Sequence, residues 1–128
     1  MSLSPPLKQL AAAVSDFTCT AEPGKIDSSV ALSQIKLEPV VKVITKVTRT
    51  WAPNVTTISF KLETDESLIV RKAAKYFDQG VGAVIGNELH SRRHKVYFIT
   101  QDQSQPIEAS NNEEIEQLLV DRICTRFA

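Results

Sequence analysis

The chain has 128 residues, 42% of them hydrophobic and 23% charged, enough for one soluble domain spanning 1–128 and not comfortably for two. Lys plus Arg number 15 and Asp plus Glu number 15. That balance argues against a general nucleic-acid binder, which needs surplus cations to neutralise phosphates, yet it leaves room for a local basic pocket for one phosphorylated small molecule.

In chain order, residues 1–7 form a loose lead-in, because Ser2, Ser4, Pro5 and Pro6 favour neither helix nor strand. Residues 9–14 predict a strand buried on both faces, because from Leu10 to Val14 the apolar residues run continuously. The stretch LAAAVSDF then ends abruptly at Asp16, which by itself is a turn-former or helix cap more often than a ligand. Residues 18–29, TCTAEPGKIDSS, make a long loop, and Lys25 within it is, alone, a solvated lysine. A short strand is expected over 31–37. Pro39 suits the first turn of a helix reaching Thr50, with Val40, Val43, Ile44 and Val47 on one face, though β-branched residues weaken that helix.

Trp51-Ala52-Pro53-Asn54 reads as a turn. Residues 55–62 alternate, with Ile58, Phe60 and Leu62 on one face, so a strand is predicted. Thr64 is placed to cap the next helix, with Asp65 and Glu66 in its first turn and Gly80 ending it. Ile69, Ala73 and Phe77 form its apolar stripe. VGAVI at 81–85 predicts a buried strand interrupted by Gly86-Asn87-Glu88. Residues 95–100 form another strand, QDQSQ turns the chain, and Asn111 or Asn112 opens a last helix with Ile115, Leu119, Ile123 and Phe127 on one face.

This order is α/β with a partly parallel sheet, in which ligands bind where the C-terminal ends of strands meet the following loops. The loops after Val14, Leu62 and Ile85 therefore matter most. No GxGxxG, GxxxxGK[ST], GxSxG or HExxH motif is present. His90 and His94 flank Ser91-Arg92-Arg93, which reads as a solvated basic turn. Asn87 after VIG reads equally as a turn cap. No apolar run approaches the roughly 18 residues of a membrane span, and the N-terminus lacks the pattern of a secretory signal. Cys19 and Cys124 have no metal-type spacing, so a reduced, cytoplasmic protein is expected, with neither membrane nor nucleic acid as partner.

Taken together, AAAVSDF, GKIDSS, WAPNVTTISFKLETD, VGAVIGNEL and SRRHKVYFIT resemble the eukaryotic form of the phosphopantothenate–cysteine ligase family, over about residues 10–127 in matching order. The resemblance implies a Rossmann-like three-layer α/β fold and a ligase of coenzyme A biosynthesis. In that family the carboxylate of 4′-phosphopantothenate is activated by a nucleotide to an acyl-nucleotidylate, which the cysteine amine then attacks. ATP is implied as the nucleotide, where bacterial members use CTP, with Mg²⁺ assisting, no flavin, and a homodimer as the usual assembly. Residue by residue, Ala12 and Ala13 match the small residues that let ligand approach a strand end. Asp16 matches the aspartate at the nucleotide site, able to hold Mg²⁺ or a ribose hydroxyl. Lys25 matches the catalytic lysine of a flap, Phe60 the residue beside the base, and Asn87 the asparagine near phosphopantothenate. The family has alanine before that asparagine. Gly86 stands there in this chain and is expected to loosen the backbone. The family's first strand, with its glycine-rich turn, and its Asn-x-Ser-Ser-Gly motif have no counterpart, so the fold is expected to lack its N-terminal strands and the chain alone to turn over poorly. The alternative reading is a non-catalytic relative that keeps the fold for dimerisation or protein interaction.

Overall fold

The structure, a computed structural model, describes residues 7–10, 16–19, 37–40 and 42–127. By contact density the chain falls into two compact units, Ala12–Val43 and the remainder.

The smaller unit holds β2 (Phe17–Cys19) and β3 (Leu37–Pro39), an antiparallel ribbon pairing Phe17 with Pro39 and Cys19 with Leu37. All six strand residues are exposed. Pro39 thus ends a strand. The helix expected to start there begins later, as α1 (Val43–Lys46), and passes directly into a π-helical turn, Val47–Trp51. A proline fits a strand end as well as a first helical turn, and here ribbon pairing prevails.

The larger unit is a five-stranded sheet in the order β1-β4-β5-β6-β7, formed by β1 (Leu7–Leu10), β4 (Thr56–Glu63), β5 (Ala83–Glu88), β6 (Lys95–Ile99) and β7 (Ser104–Glu108). β1, β4 and β5 run parallel, and β6 and β7 join antiparallel. The partly parallel sheet is therefore as expected, and the first strand exists, at Leu7–Leu10. The remainder of its expected span, 11–14, lies outside the described residues, as does 31–36.

Two expectations are corrected. Gly86-Asn87-Glu88 does not interrupt β5 but continues it, paired with Lys61, Leu62 and Glu63 of β4. The segment after Gln101 does not merely turn. It leads into β7, whose pairing with β6 supplies the hydrogen bonds that its polar side chains did not advertise.

Helices cover both faces of this sheet. α2 (Ser67–Asp78) lays Ile69 and Ala73 on Val84 and Ile99. Asp65, rather than Thr64, caps it, accepting from the Ser67 amide at 2.9 Å and the Ser67 hydroxyl at 2.7 Å. Those bonds hold the Asp65 carboxyl below its ordinary pKa. Gly80, at φ +87°, ends the helix in the left-handed conformation that glycine adopts freely. There it is overlaid by Thr48, whose hydroxyl donates to the Gln79 carbonyl.

On the opposite face α3 (Ile115–Phe127) buries Ile115 and Ile123 against Ile58, Ala83, Ile85, Phe98 and Ile107. The predicted stripe is correct. The helix starts three or four residues after the asparagines because Ser110 and Glu113 first close a turn, the Glu113 carboxylate accepting from the Ser110 amide at 3.0 Å. No helix among the described residues is long and apolar enough to cross a membrane.

Candidate functional site at the parallel strand ends

In a parallel sheet the C-terminal ends of adjacent strands, and the helix N-termini that follow, converge on one edge. Here that edge is formed by the ends of β4 and β5, where Leu62 pairs with Asn87 and Glu63 with Glu88. Strand alternation puts Ile58, Phe60 and Leu62 on the face that also carries Ala83, Ile85 and Asn87. Phe60 packs, partly buried, on the cluster beneath α3. Asn87 is half-buried one strand over and one pair further toward the edge. The structure thus brings two of the expected site residues together on one face, an aromatic ring beside an amide that can donate and accept.

The other face of the same edge is charged. Glu63, with 11% of its side chain exposed, accepts from Lys72 of α2 at 2.7 Å and lies 3.1 Å from Lys61. The Lys72 bond first, and the Lys61 bond second, hold its carboxyl below the ordinary glutamate value. Lys95 lies 3.6 Å from Glu66 and 3.5 Å from Glu108. Glu88 accepts from the His90 and Ser91 amides, each at 2.9 Å, which keeps its carboxyl lowered too. Sequence reading passed over Glu63 and Lys72. The alternation Phe60-Lys61-Leu62-Glu63 marks the polar face, but nothing local reveals that a lysine from the next helix returns to it.

Gly86 also differs from expectation. It is buried and paired on both sides, with Lys61 and with Tyr97, so the backbone before Asn87 is held rather than loosened. A Cβ there would overlap Ile69 Cγ2 and crowd Ile99 Cδ1 at 3.3 Å. The missing side chain lets α2 settle onto β5.

Asp16 belongs to the smaller unit. Its side chain is 73% exposed and 3.8 Å from Lys42, while its carbonyl accepts from the Val40 amide at 2.9 Å. Ala12, Ala13 and Lys25 lie outside the described residues.

The site and fold have a family. Residues 8–127 match the DNA/pantothenate metabolism flavoprotein C-terminal domain, and the chain belongs to that family. Among individual proteins it is similar to human phosphopantothenate–cysteine ligase, at 37% identity over 91% of this chain and 40% of the human protein. It is also 35% identical to Arabidopsis thaliana phosphopantothenate–cysteine ligase 1, over 91% of this chain and 40% of the plant protein. A solved Cab2 mutant in complex with phosphopantothenate-cysteine superposes with a TM-score of 0.72 at 27% identity, covering 90% of this chain and 42% of that one. The chain therefore spans about two fifths of the length of these relatives.

Proposed function

We propose that this chain supplies part of the active site of a phosphopantothenate–cysteine ligase that uses ATP, in a cytoplasmic, homodimeric enzyme of coenzyme A synthesis. The observation that carries the reading is that Phe60 and Asn87 share one face near the ends of two adjacent parallel strands, in a chain 37% identical to such a ligase.

In this reading the carboxylate of 4′-phosphopantothenate attacks the α-phosphorus of ATP and pyrophosphate leaves. The cysteine amine then attacks the acyl carbon of the acyl-adenylate, and AMP leaves. Phe60 offers an apolar wall to the base. Asn87 hydrogen-bonds the pantothenate portion and orients it. Ala12 and Ala13 leave room for close approach to the strand end, and the Lys25 ammonium stabilises charge growing on the phosphate.

Asp16 is the residue for Mg²⁺ or a ribose hydroxyl. Among the described residues no three His, Cys, Asp or Glu side chains cluster as a metal cage. A single exposed carboxylate nevertheless suits Mg²⁺, which is often held by one or two carboxylates plus substrate phosphates. When bound, the ion neutralises phosphate charge.

The test is binding of ATP and of 4′-phosphopantothenate to the purified chain, alongside pyrophosphate release and product formation with cysteine. Asn87→Ala is expected to weaken 4′-phosphopantothenate roughly tenfold, one hydrogen bond's share, and to leave ATP binding unchanged. A chain that binds neither ligand defeats the reading.

A further inference from the structure

We propose that the turn after β5 is a phosphate-receiving site, in which Arg92 and Arg93 hold the phosphates of a small phosphorylated ligand arriving at the strand ends. The ligand's identity rests on the ligase reading. The phosphate chemistry does not.

The turn lies at the ligand edge of the sheet, beginning directly beyond Asn87 and Glu88. It is fixed at both ends. The Leu89 amide donates to the Glu63 carbonyl at 2.9 Å, the His94 and Lys95 amides both donate to the Ser91 carbonyl at 3.0 Å, and the His94 carbonyl accepts from Ala109 at 2.8 Å. The bond from His94 to Ser91 makes Arg92 and Arg93 the two central residues of a four-residue turn.

Turns of this kind usually use Gly, Pro, Asn or Asp, each for a conformational reason. None stands here. Glu88 instead secures the loop from outside by taking two of its amides, so the central positions are free to carry any residue. They carry two adjacent guanidinium groups of like charge, on side chains that the bond closing the turn does not use.

The carboxylates nearby are already engaged. Glu88 is bound to amides, Glu63 to Lys61 and Lys72, and Glu66 and Glu108 to Lys95. Arg92 and Arg93 are exposed, and no carboxylate among the described residues lies within ion-pair distance of either. Two unneutralised guanidiniums on a rigid backbone match the forked geometry of phosphate oxygens. The chain's zero formal net charge argues for a small phosphorylated molecule over a nucleic acid, whose affinity scales with many neutralised phosphates.

The experiment is an amide and guanidinium NMR titration of the purified chain with inorganic pyrophosphate, and separately with ATP and with a short oligonucleotide, at about 0.01 M and about 0.1 M salt, where screening lengths are ~30 and ~10 Å. Shifts are expected at residues 89–94 and at Asn87, for pyrophosphate and for ATP. Arg92→Gln/Arg93→Gln should weaken both at least about tenfold at the lower salt while amide positions elsewhere stay unchanged. Lys75→Gln, which removes one exposed charge from α2, should weaken neither. Pyrophosphate binding that survives the double substitution, or that never involves the turn, overturns the proposal, and so does tighter binding of the oligonucleotide. A further titration with 4′-phosphopantothenate separates the two readings: turn-dependent pyrophosphate binding with no response to it keeps the phosphate site and counts against the ligase reading.

Discussion

Along one face of β4 the side chains run Ile58, Phe60, Leu62, and along the other Thr57, Ser59, Lys61, Glu63. The first row is apolar and opens as it advances: Ile58 is fully buried, Phe60 partly, and Leu62 is 46% exposed. The second row is polar throughout and stays covered, with Thr57 at 1% exposure and Glu63 held by two lysines. A single strand thus ends as an exposed apolar surface beside Asn87 on one side and as a set of ion pairs on the other. The first arrangement can receive a ligand. The second anchors α2 so that the first keeps its shape.

The sharpest way to break this contrast is at Gly86, where the anchoring helix touches the strand that bears Asn87. Gly86→Ala should destabilise the chain by about 1–3 kcal/mol through overpacking against Ile69. In a cycle with Ile69→Ala, measured by urea denaturation, the two losses should add to less than their sum. Strict additivity would mean that the pair does not set the helix position.

A smaller effect, of opposite sign, is expected at Thr57. Its hydroxyl has no hydrogen-bond partner among the described residues although it is buried. Thr57→Val keeps the shape and removes the unsatisfied group, so stability should rise by about 1 kcal/mol. A lower urea midpoint would reveal a partner for that hydroxyl.

The smallest change belongs to Glu63. Its carboxyl is lowered in the folded chain, so its contribution is present above the ordinary value of 4.5 and is lost as pH falls through the lowered value. Glu63→Gln should cost about 1 kcal/mol or less at neutral pH. The gap between variant and parent should close on acidification, and thermal melts of both across that range read it directly. A gap independent of pH would assign the loss to packing.

These contrasts explain what the sequence could reveal. β4, α2 and α3 carry strict periodicity in residues that end up buried, so pattern alone located them. β7 carries little pattern in the sequence, because its only buried residue is Ile107 and Pro106 is a residue that sheets accept mainly on edge strands. Gly86-Asn87-Glu88 looks like a break because glycine and asparagine punctuate chains, yet neighbouring strands on both sides recruit it. Phe60 and Asn87 enter as candidates through the family resemblance alone. Their shared face required the register. The bond from Lys72 to Glu63 was invisible because it depends on how a helix returns over a strand.

The sheet also mixes two kinds of closure. β5, β6 and β7 meet across short connections, whereas Leu7 must find Thr56 across a long stretch of chain before β1 can dock on β4. Closing such a loop carries an entropy penalty that grows with its logarithm, so it rises slowly with length yet must be met before any contact rewards it. The meander on one side of β4 can therefore assemble from nearby residues, whereas docking β1 on its other side carries the larger closure cost.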